Sequence, residues 1–109
     1  MSTFNLENAI FEIISYGGNA RSLAHEALTA AEQEDFKKSS NIIEEAKTEL
    51  NQAHSVQTKL INMELNGEGI EKSLLLVHAQ DHLMTAISEL SLIERMISMH
   101  KKFSTEVKK

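Results

Sequence analysis

The sequence contains no proline and only four glycines among its 109 residues, so very little in it interrupts a helix. The alternation of polar and apolar residues that indicates strands is absent. Apolar residues instead recur every three or four positions through three long segments. We therefore predict an all-α fold built from three long helices.

The breaks between these segments set the predicted helix boundaries. The clearest is the segment 66–69, Asn-Gly-Glu-Gly, because glycine tolerates the backbone angles that end a helix. Asp35 is a favourable N-cap for the second helix. The predicted helices cover about residues 4–32, 35–66 and 71–103. Short links between such long helices favour an antiparallel bundle in a single domain, residues 1–109.

A glycine pair, Gly17-Gly18, lies inside the first predicted helix. The interpretation that we favour is a kink or helix bulge at a tolerated glycine pair. The alternative is a close approach of the backbone to a neighbouring helix or a bound group.

The third predicted helix carries two apolar stripes when its residues are placed at 100° steps. The broad stripe is expected to face the core of the protomer: Leu75, Leu76, Ala79, Leu83, Ala86, Ile87, Leu90, Ile93 and Ile97. A narrow stripe lies nearly opposite: Leu74, Val77, Asp81, Met84, Thr85, Ser88, Leu92 and Met99. A three-helix protomer buries only one stripe per helix, so the narrow stripe predicts self-association as a closed symmetric oligomer. The alternatives are a helix from another protein or a merely mixed face.

Asp81 lies in the middle of the narrow stripe, where an unpaired carboxylate is costly to bury. A symmetric assembly brings several copies of this carboxylate together. A hard cation with oxygen ligands, shared by the copies, would offset their repulsion.

Among the five histidines, His78 and His82 share one side of the third helix with Asp81. This group could ligate a transition metal, form a structural hydrogen-bond cluster, or use one imidazole as a nucleophile. An imidazole with a pKa near 6.5 is largely neutral at pH 7, which leaves a lone pair free to attack a phosphoryl group. We expect His25 and His100 to be packing or surface residues.

Three groups of residues resemble one known family. The run 73–85, Ser-Leu-Leu-Leu-Val-His-Ala-Gln-Asp-His-Leu-Met-Thr, resembles the signature of the lactose/cellobiose (diacetylchitobiose) enzymes IIA of the bacterial phosphoenolpyruvate-dependent sugar phosphotransferase system. The segments 11–14 and 18–22 resemble the first helix of that family. Ala53-His54 together with the segment 57–60 resembles its second helix.

The resemblance implies a phosphocarrier function and an assembly. Members of the family are three-helix protomers that form homotrimers, here through the third helix. They accept a phosphoryl group from phospho-HPr and pass it to a cysteine of the cognate enzyme IIB. The membrane component IIC then takes up the sugar as it is phosphorylated. The residues of the histidine motif, His-Ala-Gln-Asp-His at 78–82, and of the segment 57–61 resemble the cellobiose/chitobiose branch more than the lactose branch. They therefore favour a β-linked disaccharide of the cellobiose/chitobiose type, with lactose as the alternative.

The resemblance also assigns roles to residues. The phosphorylated histidine corresponds to His78, through its Nε2 atom, and the second histidine corresponds to His82. The metal-binding aspartate corresponds to Asp81, for which we expect one magnesium ion shared at the trimer axis. Gln80, Gln57 and His54 lie within the matching motifs, where they either support the site or pack and bond across helices. Where the family often has Gly-Asp-Phe between its first two helices, this chain has Glu34-Asp35-Phe36.

The composition argues against several other classes of function. With 16 acidic residues against 11 basic ones the net charge is −5, which argues against nucleic acid as a partner. No cysteine is present, and no apolar run approaches the ~20 residues of a membrane span. We expect a cytoplasmic protein that does not insert into the membrane. On the residues alone, a transition-metal-binding bundle and a purely structural helical oligomer are the alternative functions.

Overall fold

The computed structural model describes residues 5–107 and forms three α-helices. Helix α1 covers Leu6–Glu32, α2 covers Phe36–Leu65 and α3 covers Leu74–Val107. The described residues contain no strand, so the all-α prediction is confirmed. The predicted start at Phe4 lies outside the described residues. Helix α3 continues past its predicted end at Phe103, where no residue stops it.

Polar side chains set the start of each helix by accepting a hydrogen bond from the backbone N–H three residues further on. The acceptors are Asn5 for α1 at 3.0 Å, Asp35 for α2 at 3.2 Å and Ser73 for α3 at 3.1 Å. Each bond satisfies a donor that the first turn of a helix leaves without a partner.

The link between α1 and α2 turns at Glu34, which has a φ of 64°. This left-handed conformation favours glycine, which explains why a glycine often stands here in the family that the sequence resembles. The Glu34 carboxylate accepts a hydrogen bond of 2.8 Å from the Ser104 hydroxyl. The turn therefore tolerates a side chain at this position and uses it to hold the end of α3.

Helix α1 lies between the other two and provides most of the interhelical packing. Two apolar clusters follow its length. The first joins residues of the N-terminal half of α1 to the C-terminal half of α2 and the N-terminal half of α3: Ala9, Ile10, Ile13, Ala53, Leu60, Leu76, Ala79 and Leu83. The second joins Ala24, Ala27, Ile43, Ala46, Leu90 and Ile93. Helices α1 and α3 thus run in the same direction, and α2 runs antiparallel to both.

The two stripes of α3 differ in burial as the sequence predicts. In the broad stripe every residue is buried or half-buried except Leu75, which is 42% exposed and was wrongly placed in the core. Leu75 lies in the first turn of α3, at the open end of the bundle. All eight residues of the narrow stripe are exposed, with Leu74 at 86% and Met99 at 70%. Among residues 5–107, no helix combines the length and apolar character that a membrane span requires.

The small residues of α1 allow this close packing, and we predict that enlarging one of them is costly. Ala24 is fully buried between α2 and α3, so Ala24→Leu should lower the free energy of unfolding by about 1–3 kcal/mol. Glu26→Leu places the same side chain on the exposed side of the same helix and should have little effect. Urea denaturation at one fixed protein concentration compares the two. Equal losses in both variants would contradict the packing described above.

Candidate functional site

The two histidines of the predicted site lie one turn apart on α3 and differ in exposure. His78 is exposed, whereas His82 is half-buried. Their imidazole rings are nearly parallel, with centroids 6.1 Å apart and an interplanar angle of 22°. The exposed ring is free to meet a partner, and the half-buried ring lies beside it against the rest of the protein.

The glycine pair of α1 faces the His82 ring. A Cβ atom at Gly17 would lie 3.4 Å from Cδ2 of His82 and 3.9 Å from the Cα atom of Leu83. A Cβ atom at Gly18 would lie 3.4 Å from Nε2 of His82. The pair therefore permits a close approach of α1 to the site, which was the alternative interpretation rather than the kink or bulge that we favoured. Helix α1 continues through the pair without interruption.

Arg21, on the same side of α1, binds α3 at several points. Its Nη2 atom donates a hydrogen bond to the hydroxyl of Thr85 and another, of 3.4 Å, to the carbonyl oxygen of His82. Its Nε atom lies 2.8 Å from a carboxylate oxygen of Glu89, which also lies 3.4 Å from Nε2 of His25. These contacts connect α1 and α3 directly behind the histidine pair.

The surroundings of His82 favour its neutral form. Partial burial lowers the pKa of His82 below its usual value, and the positive charge of Arg21 and the neighbouring His78 act in the same direction. A hydrogen bond to the backbone carbonyl of Ile14 opposes them but does not outweigh them. The uncharged form, which has one N–H to donate and one nitrogen lone pair, is thereby favoured.

Gln80 and Gln57 are joined across the helices. The side-chain amide of Gln57, which is buried on α2, donates a hydrogen bond to the side-chain oxygen of Gln80 on α3. This bond fixes the α3 turn that carries His78. His54 lies exposed on α2, and in the structure as described it forms no hydrogen bond to the other site residues.

Asp81 is exposed and points away from the protomer core with the rest of the narrow stripe. Within residues 5–107, no group of three or more His, Asp or Glu side chains could hold a metal ion. The structure therefore does not bring His78, Asp81 and His82 together as a three-ligand site in one protomer.

Sequence reasoning missed that Arg21 meets Glu89 beside the site. Helical spacing already puts Glu89, seven residues after His82, on the same side of α3, but nothing in the sequence reveals that Arg21 of α1 lies against it. The only available signal was the position of Arg21 within the segment 18–22, which resembles the first helix of the family.

Comparison with known proteins identifies the family. The model of the lactose/cellobiose-specific IIA subunit of the phosphotransferase system matches residues 8–101. The lichenan-specific phosphotransferase enzyme IIA component of Bacillus subtilis is 42% identical over 101 residues, which cover 93% of this chain and 92% of the relative.

Two solved structures share the fold. The cellobiose-specific enzyme IIA of Bacillus anthracis superimposes with a TM-score of 0.90 at 41% identity, covering 95% of both chains. The IIA(Chitobiose) protein of Escherichia coli, solved in complex with HPr, gives a TM-score of 0.81 at 40% identity, covering 94% of this chain and 99% of that one. The chain belongs to the lactose/cellobiose-specific IIA family and is a phosphotransferase component of the cellobiose, chitobiose or lactose type.

The contact between the glycine pair and His82 predicts a size limit at position 18. A methyl group at Gly18 just meets the His82 ring at 3.4 Å, so Gly18→Ala should fold and gain up to about 1 kcal/mol of helix propensity. Gly18→Leu adds three more carbon atoms beyond a Cβ that already contacts the ring, so it should displace the ring. The ring-proton chemical shifts of His82 by NMR measure this displacement, with those of His54 as an internal control. Identical His82 shifts in the Ala and Leu variants would show that the ring does not lie against α1.

Proposed function

We propose that this protein carries a phosphoryl group on Nε2 of His78, which it takes from phospho-HPr and passes to the cysteine of its cognate enzyme IIB. The observation that carries the proposal is the pairing of an exposed His78 with a half-buried His82, one turn away, whose neutral form is favoured. Exposure suits a nucleophile that must meet two protein partners in turn. A neighbour held against the protein suits a group that assists without leaving its place.

The transfer needs no separate base. The lone pair on Nε2 of neutral His78 attacks phosphorus as the bond between phosphorus and the donor atom of HPr breaks, and that electron pair stays with the donor. The proton on Nδ1 of His78 remains in place during the attack. In the second transfer, a cysteine thiolate of enzyme IIB attacks the same phosphorus, and the P–N electron pair returns to His78.

His82 is proposed to assist the transfer. One turn from His78, its single N–H can donate a hydrogen bond to the phosphoryl oxygens or orient the nucleophile. His78 is the fifth residue of α3, so the helix dipole, which acts mainly over the first turn, contributes little to binding the anion. Stabilisation of the phosphoryl group therefore depends on side chains. Gln80, held by Gln57, is placed to support this turn, whereas the exposed His54 has no role that the geometry supports.

The proposed partners follow from the relatives. The Escherichia coli IIA(Chitobiose) protein, which has nearly the same fold, forms a complex with HPr, and this supports HPr as the donor here. The net charge of −5 suits a partner that is positive at the contact. Enzyme IIB would be the acceptor and IIC the membrane component that it serves. We propose a cytoplasmic location because these proposed partners act there.

The sugar is proposed to be a β-linked disaccharide of the cellobiose or chitobiose type. Relatives named for lichenan, lactose, cellobiose and diacetylchitobiose share 40–43% identity with this chain. Overall identity therefore does not select among these sugars, and lactose is the alternative. The choice rests with the membrane component, and the residues of the histidine motif and of the segment 57–61 are the local support for the cellobiose or chitobiose type.

We predict that His78 is the only phosphorylated residue. After incubation with phosphoenolpyruvate, enzyme I and HPr, His78→Ala should show no phosphoryl adduct by mass spectrometry, with unchanged helical circular dichroism. His82→Ala should still accept the group but pass it more slowly to enzyme IIB. The wild-type adduct should be acid-labile and base-stable, as a phosphoramidate is. An adduct on His78→Ala would disprove the assignment, and unchanged rates in His82→Ala would make His82 a bystander.

We also propose that the protein is a homotrimer assembled through the narrow stripe of α3. Five large apolar side chains are exposed along this stripe: Leu74, Val77, Met84, Leu92 and Met99. Five large exposed apolar side chains along one side of a helix are more typical of an interface than of a solvent-exposed face. A three-fold arrangement of α3 helices would bury it and would place three copies of Asp81 near the axis.

A magnesium ion is proposed to be shared by those three carboxylates. Within residues 5–107 of one protomer, no group of three or more His, Asp or Glu side chains surrounds a metal position. The donor set fits once three copies meet, because carboxylate oxygens and water are the ligands that magnesium prefers. The ion would be structural, offsetting the repulsion among the Asp81 carboxylates, and would take no part in the transfer on His78.

Replacement of Asp81 tests both parts of the assembly. Asp81→Leu removes the repulsion and the need for a cation, and extends the apolar stripe, so it should remain trimeric in EDTA. The Asp81→Lys trimer should dissociate because it would bring three lysine ammonium groups together at the buried axis. Sedimentation velocity of wild type and both variants, with and without EDTA, makes the comparison. A monomeric wild-type protein in magnesium buffer would contradict the trimer, and a trimeric Asp81→Lys protein would contradict the placement of Asp81 at the axis.

A further inference from the structure

Arg21 contacts His82 at a different point from the glycine pair, and the two contacts come from one side of α1. Position 21 lies four residues after Gly17 and three after Gly18, so the Arg21 side chain emerges on the same side of the helix as each glycine. The glycine backbone lies against the His82 ring. A Cβ atom added to either glycine would lie 3.4 Å from a ring atom of His82. The Arg21 guanidinium lies 3.4 Å from the His82 carbonyl oxygen. His82 is therefore held by α1 at both its ring and its backbone.

The remaining contacts of Arg21 fix the direction of its guanidinium group. The Thr85 hydroxyl accepts a hydrogen bond from Arg21 and lies 2.9 Å from the carbonyl oxygen of Asp81 and 3.1 Å from that of His82. The Glu89 carboxylate lies 2.8 Å from Nε and forms an ion pair with the group. A planar guanidinium can make the two hydrogen bonds and this ion pair in one fixed orientation, whereas a lysine ammonium offers no such rigid fork.

We propose that Arg21 is a positioning residue for phosphoryl transfer, which by binding the His82 carbonyl, the Thr85 hydroxyl and the Glu89 carboxylate together holds the His82 ring in place beside His78. This inference rests on the proposed function of His78. Arg21 acts through His82, and its charge is largely balanced by Glu89, so it need not touch the phosphoryl group.

The placement matters because α1 and α3 are joined here by few polar contacts. Without Arg21, the helices would still pack through their apolar clusters, but α3 could rotate slightly about its axis. A rotation that moves His82 by a fraction of an ångström leaves the fold intact and changes the position of its N–H relative to the phosphoryl oxygens. Misplacement of an assisting group on this scale lowers the rate of a chemical step by about tenfold to a hundredfold.

The test uses two substitutions of Arg21 and a matched control. Arg21→Lys keeps the positive charge and loses the fork, and Arg21→Gln loses both. Lys47→Gln removes an ion pair of similar exposure, 3.2 Å from Glu94, that joins α2 and α3 away from the site. For each full-length protein, single-turnover transfer from phospho-HPr is measured at several HPr concentrations. NMR cross-peaks between the His82 ring protons and the α protons of Gly17 and Gly18 report the ring position without any phosphoryl transfer.

In both Arg21 variants, the maximal transfer rate should fall by about tenfold or more, whereas the half-saturating HPr concentration should change by less than about twofold. Their His82–glycine cross-peaks should weaken, while Lys47→Gln behaves as wild type. A wild-type rate in Arg21→Lys would show that charge alone matters, and unchanged cross-peaks in both variants would also overturn the proposal. A change confined to the half-saturating concentration would make Arg21 an HPr-docking residue instead. If the wild-type protein accepts no phosphoryl group, the proposed function fails, and the cross-peaks still decide whether Arg21 positions His82.

Discussion

The structure depends on how closely α1 can approach its two neighbours. From Gly17 onward, every buried residue of α1 is glycine or alanine, and Ala20, Ala24 and Ala27 are completely buried. Small side chains let the other helices approach the α1 backbone, where dispersion forces between packed atoms add up. Because α2 and α3 contact each other less than either contacts α1, the relative position of all three helices follows from this one surface.

The same surface determines the difference between the two histidines. At Gly17 and Gly18 the helix has no side chains to fill the space, and His82 occupies it. Partial burial there favours the neutral form of His82. His78, one turn earlier on α3, lies beyond the reach of α1 and remains in solvent. Two identical side chains thus acquire different properties from their distance to one glycine pair, and that difference suits a carrier and an assistant.

Much of this could be predicted from the sequence, because helical periodicity depends on the chain alone. The three helices, the core stripe of α3 and its exposed narrow stripe follow from spacing, and the site residues follow from a motif that resembles one family. The contact between Arg21 and Glu89 could not be found in that way, since it forms only through the packing of α1 on α3. The purpose of the glycine pair was open for the same reason. At Glu34 the sequence showed a departure from the family's usual glycine but not its reason. The structure supplies the reason, because the residue has a positive φ and its side chain accepts a hydrogen bond from Ser104.

The order of the helices has a consequence for how the site comes into being during folding. Helices α1 and α2 are joined by a short turn and can pair as a local hairpin, whereas the contact of α1 with α3 closes a loop that contains the whole of α2. Contacts between distant segments of a chain form more slowly than local ones. A chain that has formed only the hairpin carries His78 but offers no ordered surface to His82. The two histidines are neighbours as soon as α3 is helical, but the contact that distinguishes His82 from His78 forms only when α3 docks on α1.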